Sequence, residues 1–97
     1  GMLVVDEGAR EALCSRGKSL LAAGITRVKG SFKRSDVVAV SSTKGYEFAR
    51  GKVAFSSAEI RKIRGKKKNQ IVRTLGSRGN DEVIHRDHMV IMTDAKE

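Results

Sequence analysis

The chain concentrates one kind of chemistry: cationic side chains with no acids between them. From Arg61 to Lys68 the sequence RKIRGKKK is basic at six of eight positions, and no acid occurs between Glu59 and Asp81. A second acid-free stretch, from Glu11 to Asp36, carries Arg16, Lys18, Arg27, Lys29, Lys33 and Arg34, and the formal net charge is +9. Cations grouped in this way displace counterions from a phosphate backbone, so the pattern points to a polyanion such as RNA. Lys66, Lys67 and Lys68, beside Arg61, Lys62 and Arg64, concentrate the field most. The competing reading is a solvated face that keeps a small protein soluble, and charge alone weighs the two equally. Aromatic residues are few (Phe32, Tyr46, Phe48, Phe55), and at least three are needed for a core. Base stacking on an aromatic platform is therefore not expected, and RNA would be held through its backbone and shape.

Other constellations fall short of a site. Gly17-Lys18-Ser19 matches the end of a phosphate-binding loop. That loop needs a glycine five positions before Gly17, where Ala12 stands, and a helix after it rather than before. His85 and His88 could be metal ligands, but with one cysteine far away in sequence they lack the four ligands of a structural zinc site. Asp87 between them reads as a turn acid. Cys14 reads as a small buried or half-buried hydrophobe, because no neighbour would stabilise its thiolate. No serine stands in a nucleophile elbow, and no carboxylate pair is arranged for hydrolysis. The expectation is a chain with no catalytic residue, no metal and no small-molecule site.

The scaffold for these side chains is organised around a hairpin from Asp36 to Phe55. Asp36–Val40 and Tyr46–Phe55 read as its arms, with Ser41 to Gly45 as the reversal. Gly51 inside the second arm marks a bulge or a close backbone approach around Ala49-Arg50-Gly51. Leu3-Val4-Val5 reads as a first strand. Asp6 caps a helix from Glu7 to Arg16 with Ala9, Ala12 and Leu13 inward and Gly17 as its left-handed stop. Lys18 to Gly24 reads as a linker anchored by two leucines, and Ile25–Lys29 as a half-exposed strand. Phe32 is a core plug. Ser56 and Glu59 form a capping box for a helix with Ile60 and Ile63 inward and Gly65 as its stop. Asn69 is expected to cap a further helix with Ile71, Val72 and Leu75 inward, ended by Gly76. Ser77 to Asp81 reads as a mobile loop, His88–Met92 as a final strand, and Thr93 to Glu97 as a fraying tail. The fold class is mixed α+β, mainly β: a barrel-like domain of about six short strands with short helices at the corners. Ninety-seven residues bury roughly two-thirds of their unfolded surface, enough for one modest core. No apolar run approaches the ~20 residues of a spanning helix, and no signal pattern opens the chain, which implies a cytoplasmic protein without a membrane partner.

The succession DEGAREAL, GKSLLAAGI, VKGSF, DVVAV, GYEFARGKVAFSSAEI, IRGKKKNQI and EVIHRDHMVI resembles the C-terminal PUA domain of bacterial glutamate 5-kinases, the first enzymes of proline biosynthesis. The resemblance runs from about Leu3 to Met92. It implies a PUA-type pseudo-barrel over 1–97, ordered over about 3–92. It also implies a fragment, whose amino-acid-kinase domain, with the ATP, Mg and glutamate sites, lies upstream and is absent here. The domain would then be a non-catalytic accessory, regulating or supporting the kinase domain of the same polypeptide. The alternatives are a working RNA-binding module or a free-standing PUA protein. PUA domains of RNA-modifying enzymes contact RNA between the first helix and second strand and along the last strand. Carried over, those positions are Gly17, Lys18, Ser19, Leu20, Leu21 and Gly24, with His88 to Met92 opposite. The candidate RNA-binding set is therefore Lys18, Ser19, Gly24, Arg61, Arg64, Lys66, Lys67, Lys68 and His88. The chain departs from the family pattern at Ala22, where a proline is usual nearby, at Ser35 in place of glycine, and at His88 in place of asparagine.

Overall fold

Alternation of apolar and polar residues builds the central sheet. The computed structural model describes residues 1–76 and 81–92. Among the described residues seven strands and three helices follow one another as β1 (Met2–Val5), α1 (Glu7–Arg16), β2 (Leu20–Leu21), β3 (Ile25–Lys29), β4 (Val37–Ser42), β5 (Glu47–Lys52), α2 (Ser57–Ile63), α3 (Lys68–Leu75), β6 (Glu82–Ile84) and β7 (Met89–Ile91). Single 3-10 turns, Ala22–Gly24 and Arg86–His88, precede β3 and β7. Five strands form a sheet in the order β3-β1-β4-β5-β7, and β2 with β6 makes a separate ribbon. β1 runs antiparallel to β3 and parallel to β4, and the β4–β5 and β5–β7 pairs are antiparallel. One core joins the two sheets: Leu20 and Ile84 of the ribbon are buried with Leu3, Val5, Val38, Val40 and Phe48 of the larger sheet. This is the mainly β, barrel-like arrangement with helices at its corners that the hairpin implied.

The local signals act as their chemistry dictates. Asp6 Oδ1 accepts a 2.7 Å hydrogen bond from Ala9 N, and Gly17 ends α1 at φ 61°. Glu59 N donates to Ser56 Oγ at 3.2 Å while Ser56 N donates to Glu59 Oε1 at 2.8 Å, a complete capping box on α2. Ser57, buried, fixes the core plug: Phe32 N donates to its Oγ at 3.1 Å. Ser35, where the family resemblance expected glycine, holds φ 74° in the turn between β3 and β4. That turn is tied by Lys33 N to Asp36 Oδ2 at 2.9 Å.

Several expectations need correction. The strand register slips between Val40 and Ser41, which face Ala49 and Glu47, so the extra residue is Phe48 rather than one of Ala49–Gly51. With the slip, Phe48 and Ala49 are both buried, which fills the core twice from one strand. Gly51 is instead the close approach. A Cβ there would lie 2.5 Å from Ile84 Cγ2 and 2.9 Å from His88 O. Lys18 to Gly24 is more than a linker, since Leu20 and Leu21 pair with Ile84 and Glu82. Two residues are too few to show a period. Cys14 is exposed, because it lies beside the inward stripe of α1 and not on it. α3 begins two residues earlier than a cap at Asn69 implies: Lys67 is its N-cap, and Lys67 N donates to Gln70 Oε1 at 2.9 Å. Val72 lies 40% exposed, while Ile71 alone of that helix is buried. The loop and tail expectations at 77–80 and 93–97 fall outside the described residues.

Candidate nucleic-acid interface

The nine candidate residues separate into two groups on different elements. The first gathers where β2 and β6 meet. Lys18 and Ser19, in the segment joining α1 to β2, line a cleft of about 360 Å³ with Leu21, Glu82, His85 and Arg86. Ser19 Oγ accepts from Arg86 N at 3.0 Å, which closes the cleft floor across a separation of 67 residues. His85 Nδ1 accepts from Asp87 N at 3.0 Å, so a neutral His85 carries its proton on Nε2. His88 stands on the same 3-10 turn, exposed, with its ring 5.9 Å from that of His85. A second cleft, about 420 Å³, takes in His88 with Ser35, Lys52 and Ala54 and shares Glu82 and His85 with the first. The two clefts adjoin at Glu82 and His85 and together form the furrow region, Lys18 and Arg86 lining one and Lys52 the other.

Gly24 belongs to this region for packing, not contact. A Cβ on it would lie 2.6 Å from Ala9 Cβ, and its carbonyl accepts from Asp6 N at 2.9 Å. It lets α1 lie close over the turn that leads into β3. Together with Lys18, Ser19 and Leu21 it also borders an apolar hollow of about 520 Å³ under α1.

The second group lies on α2 and α3. Arg61 donates through Nη2 to Gly30 O at 2.8 Å, and Arg64 through Nη1 to Thr26 O at 2.8 Å. Both guanidinium groups therefore cover backbone carbonyls along the outer side of β3, an edge strand of the sheet. With Arg27 they line a shallow cleft of about 340 Å³. Lys66 Nζ donates to Thr74 Oγ1 at 3.2 Å, and Lys67 and Lys68 are exposed at the start of α3. The clefts described above each contain members of one group and not of the other.

Sequence reasoning missed Arg86, Lys52 and the role of His85 in the furrow. The signal was the pairing of β2 with β6, which no local pattern carries. The largest electrostatic effect lies elsewhere. Arg34, bonded through Nε at 2.9 Å and through Nη2 to the two Glu59 carboxylate oxygens, pulls the Glu59 pKa down to about 2. That pair secures the start of α2. Among the described residues, no group of three or more His, Cys, Asp or Glu is placed to hold a metal ion, and no helix is long and apolar enough to cross a membrane.

Comparison with known proteins fits this geometry. The family model described as "PUA domain" matches residues 1–75. Glutamate 5-kinase of Aquifex aeolicus is 55% identical over 91 residues, 94% of this chain and 25% of that protein. Glutamate 5-kinase of Geobacter sp. strain M21 is 49% identical over 92 residues, again 25% of its length. The chain thus spans about a quarter of the curated relatives it matches. Among solved structures, a PUA domain from Aeropyrum pernix, crystallised as a tartrate complex, superposes with a TM-score of 0.69 at 26% identity, over 98% of this chain and 45% of its own. A conserved PUA domain protein from Thermoplasma acidophilum gives 0.57 at 30% identity over 87% and 47%. Strand order, ribbon and family match agree: this chain belongs to the PUA domain family.

Proposed function

We propose that the chain is a non-catalytic accessory domain of a cytoplasmic glutamate 5-kinase, and that it packs on and modulates the kinase portion of the same polypeptide. The observation that carries this is the 55% identity over 94% of the chain, confined to a quarter of the relative. In this reading phosphorylation of glutamate, with its ATP and Mg, belongs to the other three-quarters. The test is to delete the matching quarter from the Aquifex aeolicus enzyme and assay it with and without proline. Retained phosphorylation with altered proline inhibition supports an accessory regulator. Loss of ATP turnover at an unchanged fold, or unchanged inhibition, overturns it.

A second reading, RNA contact, is favoured by the convergence of Lys18 and Arg86 with His85 on one cleft. Titration with a structured hairpin and a single strand, at low and near-physiological salt, decides it. Each phosphate contact contributes about −0.7 to −0.9 to the slope of log K against log salt. Binding that persists at physiological salt and loses about two contacts in a Lys18→Gln, Arg86→Gln variant supports an RNA module. Binding confined to low salt and equal for both RNAs reduces the charge to a nonspecific field.

A further inference from the structure

We propose that the outer face of the five-stranded sheet is the surface that docks on the kinase portion, which meets it with an apolar patch bearing carboxylates. This deepens the accessory-domain reading and rests on it.

The strand register defines the face. Met2 stands between Lys29 and Ala39, Ala39 faces Arg50, and Arg50 faces Val90, so one row of side chains crosses all five strands away from the core. Val4 lies between Arg27 and Ser41 in the next row, and Val37 faces Lys52 at the other end. The opposite side of the same strands holds the buried Leu3, Val38 and Val40. Val37 and Val90 are 65% and 68% exposed, although each is as apolar as a core residue. Most single exposed valines need no explanation. Here Val37 shares its face with Met2, Val4 and Ala39, and Val90 lies beyond Arg50 in the same row, so the face is an apolar surface interrupted and bordered by cations.

Charge on this face selects the partner. Arg27, Lys29, Arg50 and Lys52 stand on this face against one acid, Glu47, and Glu47 is already paired with Arg50 at 2.6 Å. Beside Met2, Arg27 and Lys29 border a hollow of about 380 Å³ with Val4, Thr26, Ser41 and Thr43 and no acid in its lining. A carboxylate from a partner would find two cations there, while Thr26 Oγ1 and Ser41 Oγ already donate to Val4 O and Ser42 O. A nucleic acid fits less well, because the exposed Val37 and Val90 and the neighbouring Met2 and Val4 offer phosphates nothing. In the relatives three-quarters of the polypeptide lies outside the matched segment, so a kinase portion joined to this chain would meet its surfaces at high effective concentration.

Lysine acetylation, read by mass spectrometry, tests it. The chain alone is compared with the Aquifex aeolicus enzyme carrying this chain in place of its matching quarter. Lys29 and Lys52 should react about tenfold more slowly in the joined protein if the face is covered about nine-tenths of the time. Lys18 should react alike in both. Val37→Glu with Val90→Glu should restore both rates in the joined protein, with the melting temperature of the chain alone confirming that it still folds. Shielding of other lysines with Lys29 and Lys52 unchanged would overturn this face while sparing the accessory reading. Shielding that survives the two glutamates also overturns it. No shielding anywhere would sink both. Equal shielding of the isolated chain by the RNA hairpin would reassign the face to nucleic acid.

Discussion

The two basic regions of this domain carry similar charge and use it differently. On α2, Arg61 and Arg64 direct donors to Gly30 O and Thr26 O and so seal the edge of β3. At the β2–β6 junction, Lys18 and Arg86 border a cleft, and the two segments are held by strand pairing and by the Arg86 backbone N–H donating to Ser19 Oγ, not by the cationic side chains. The denser charge run in the sequence is thus partly a fastening, while the sparser one borders a cavity. What separates a structural arginine from a binding one is the carbonyl it already satisfies, which no charge count reveals.

Four substitutions test that contrast, in falling order of effect. Gly51→Val should be the most severe, because the new side chain must displace Ile84 and the His88 carbonyl directly beneath the furrow. A loss of about 1–3 kcal/mol is expected from overpacking, seen as a lower urea midpoint at unchanged m-value. Full stability would mean that β5 and the furrow turn are not in contact. Next, Arg64→Met should cost about 1 kcal/mol through its lost hydrogen bond. Lys18→Met, by contrast, should stay within about 0.5 kcal/mol of the parent. Equal melting temperatures for the two variants would erase the distinction between the regions. The smallest effect is pH-dependent and lies at the same fastening. The Glu59 pKa is depressed from 4.5 to about 2, so its contribution is fully present above pH 4.5 and is lost as pH falls through 2. Arg34→Gln should therefore lower the urea midpoint slightly at pH 7, with the deficit fading between pH 4.5 and pH 2. A deficit that is constant with pH would show that Arg34 acts through packing alone.

Much of the fold was legible because its signals are local. Asp6, Gly17 and the Ser56–Glu59 box act within a turn of one another, and the β4–β5 hairpin joins residues close in sequence. The ribbon was not legible, since Leu20 and Leu21 earn the name of strand only by meeting Ile84 and Glu82. The candidate site divides the same way. Lys18 and Ser19 were reachable from the sequence and the family resemblance, whereas Arg86 and Lys52 enter only once β6 is placed. Arg61 and Arg64 looked alike as a charge run until β3 was seen to lie beneath them.

The bond from Arg86 N to Ser19 Oγ has a kinetic consequence. It spans 67 residues, and the ribbon beside it closes the longest loop among the strand pairs. Local elements can form early, α1 and the hairpin foremost, but the furrow has to wait until β6 arrives. The loop-closure entropy settled at that step makes the junction a natural place for the native state to open first. A ligand bridging Lys18 and Arg86 would therefore act as a clasp, slowing the opening of the whole domain from its slowest-forming seam.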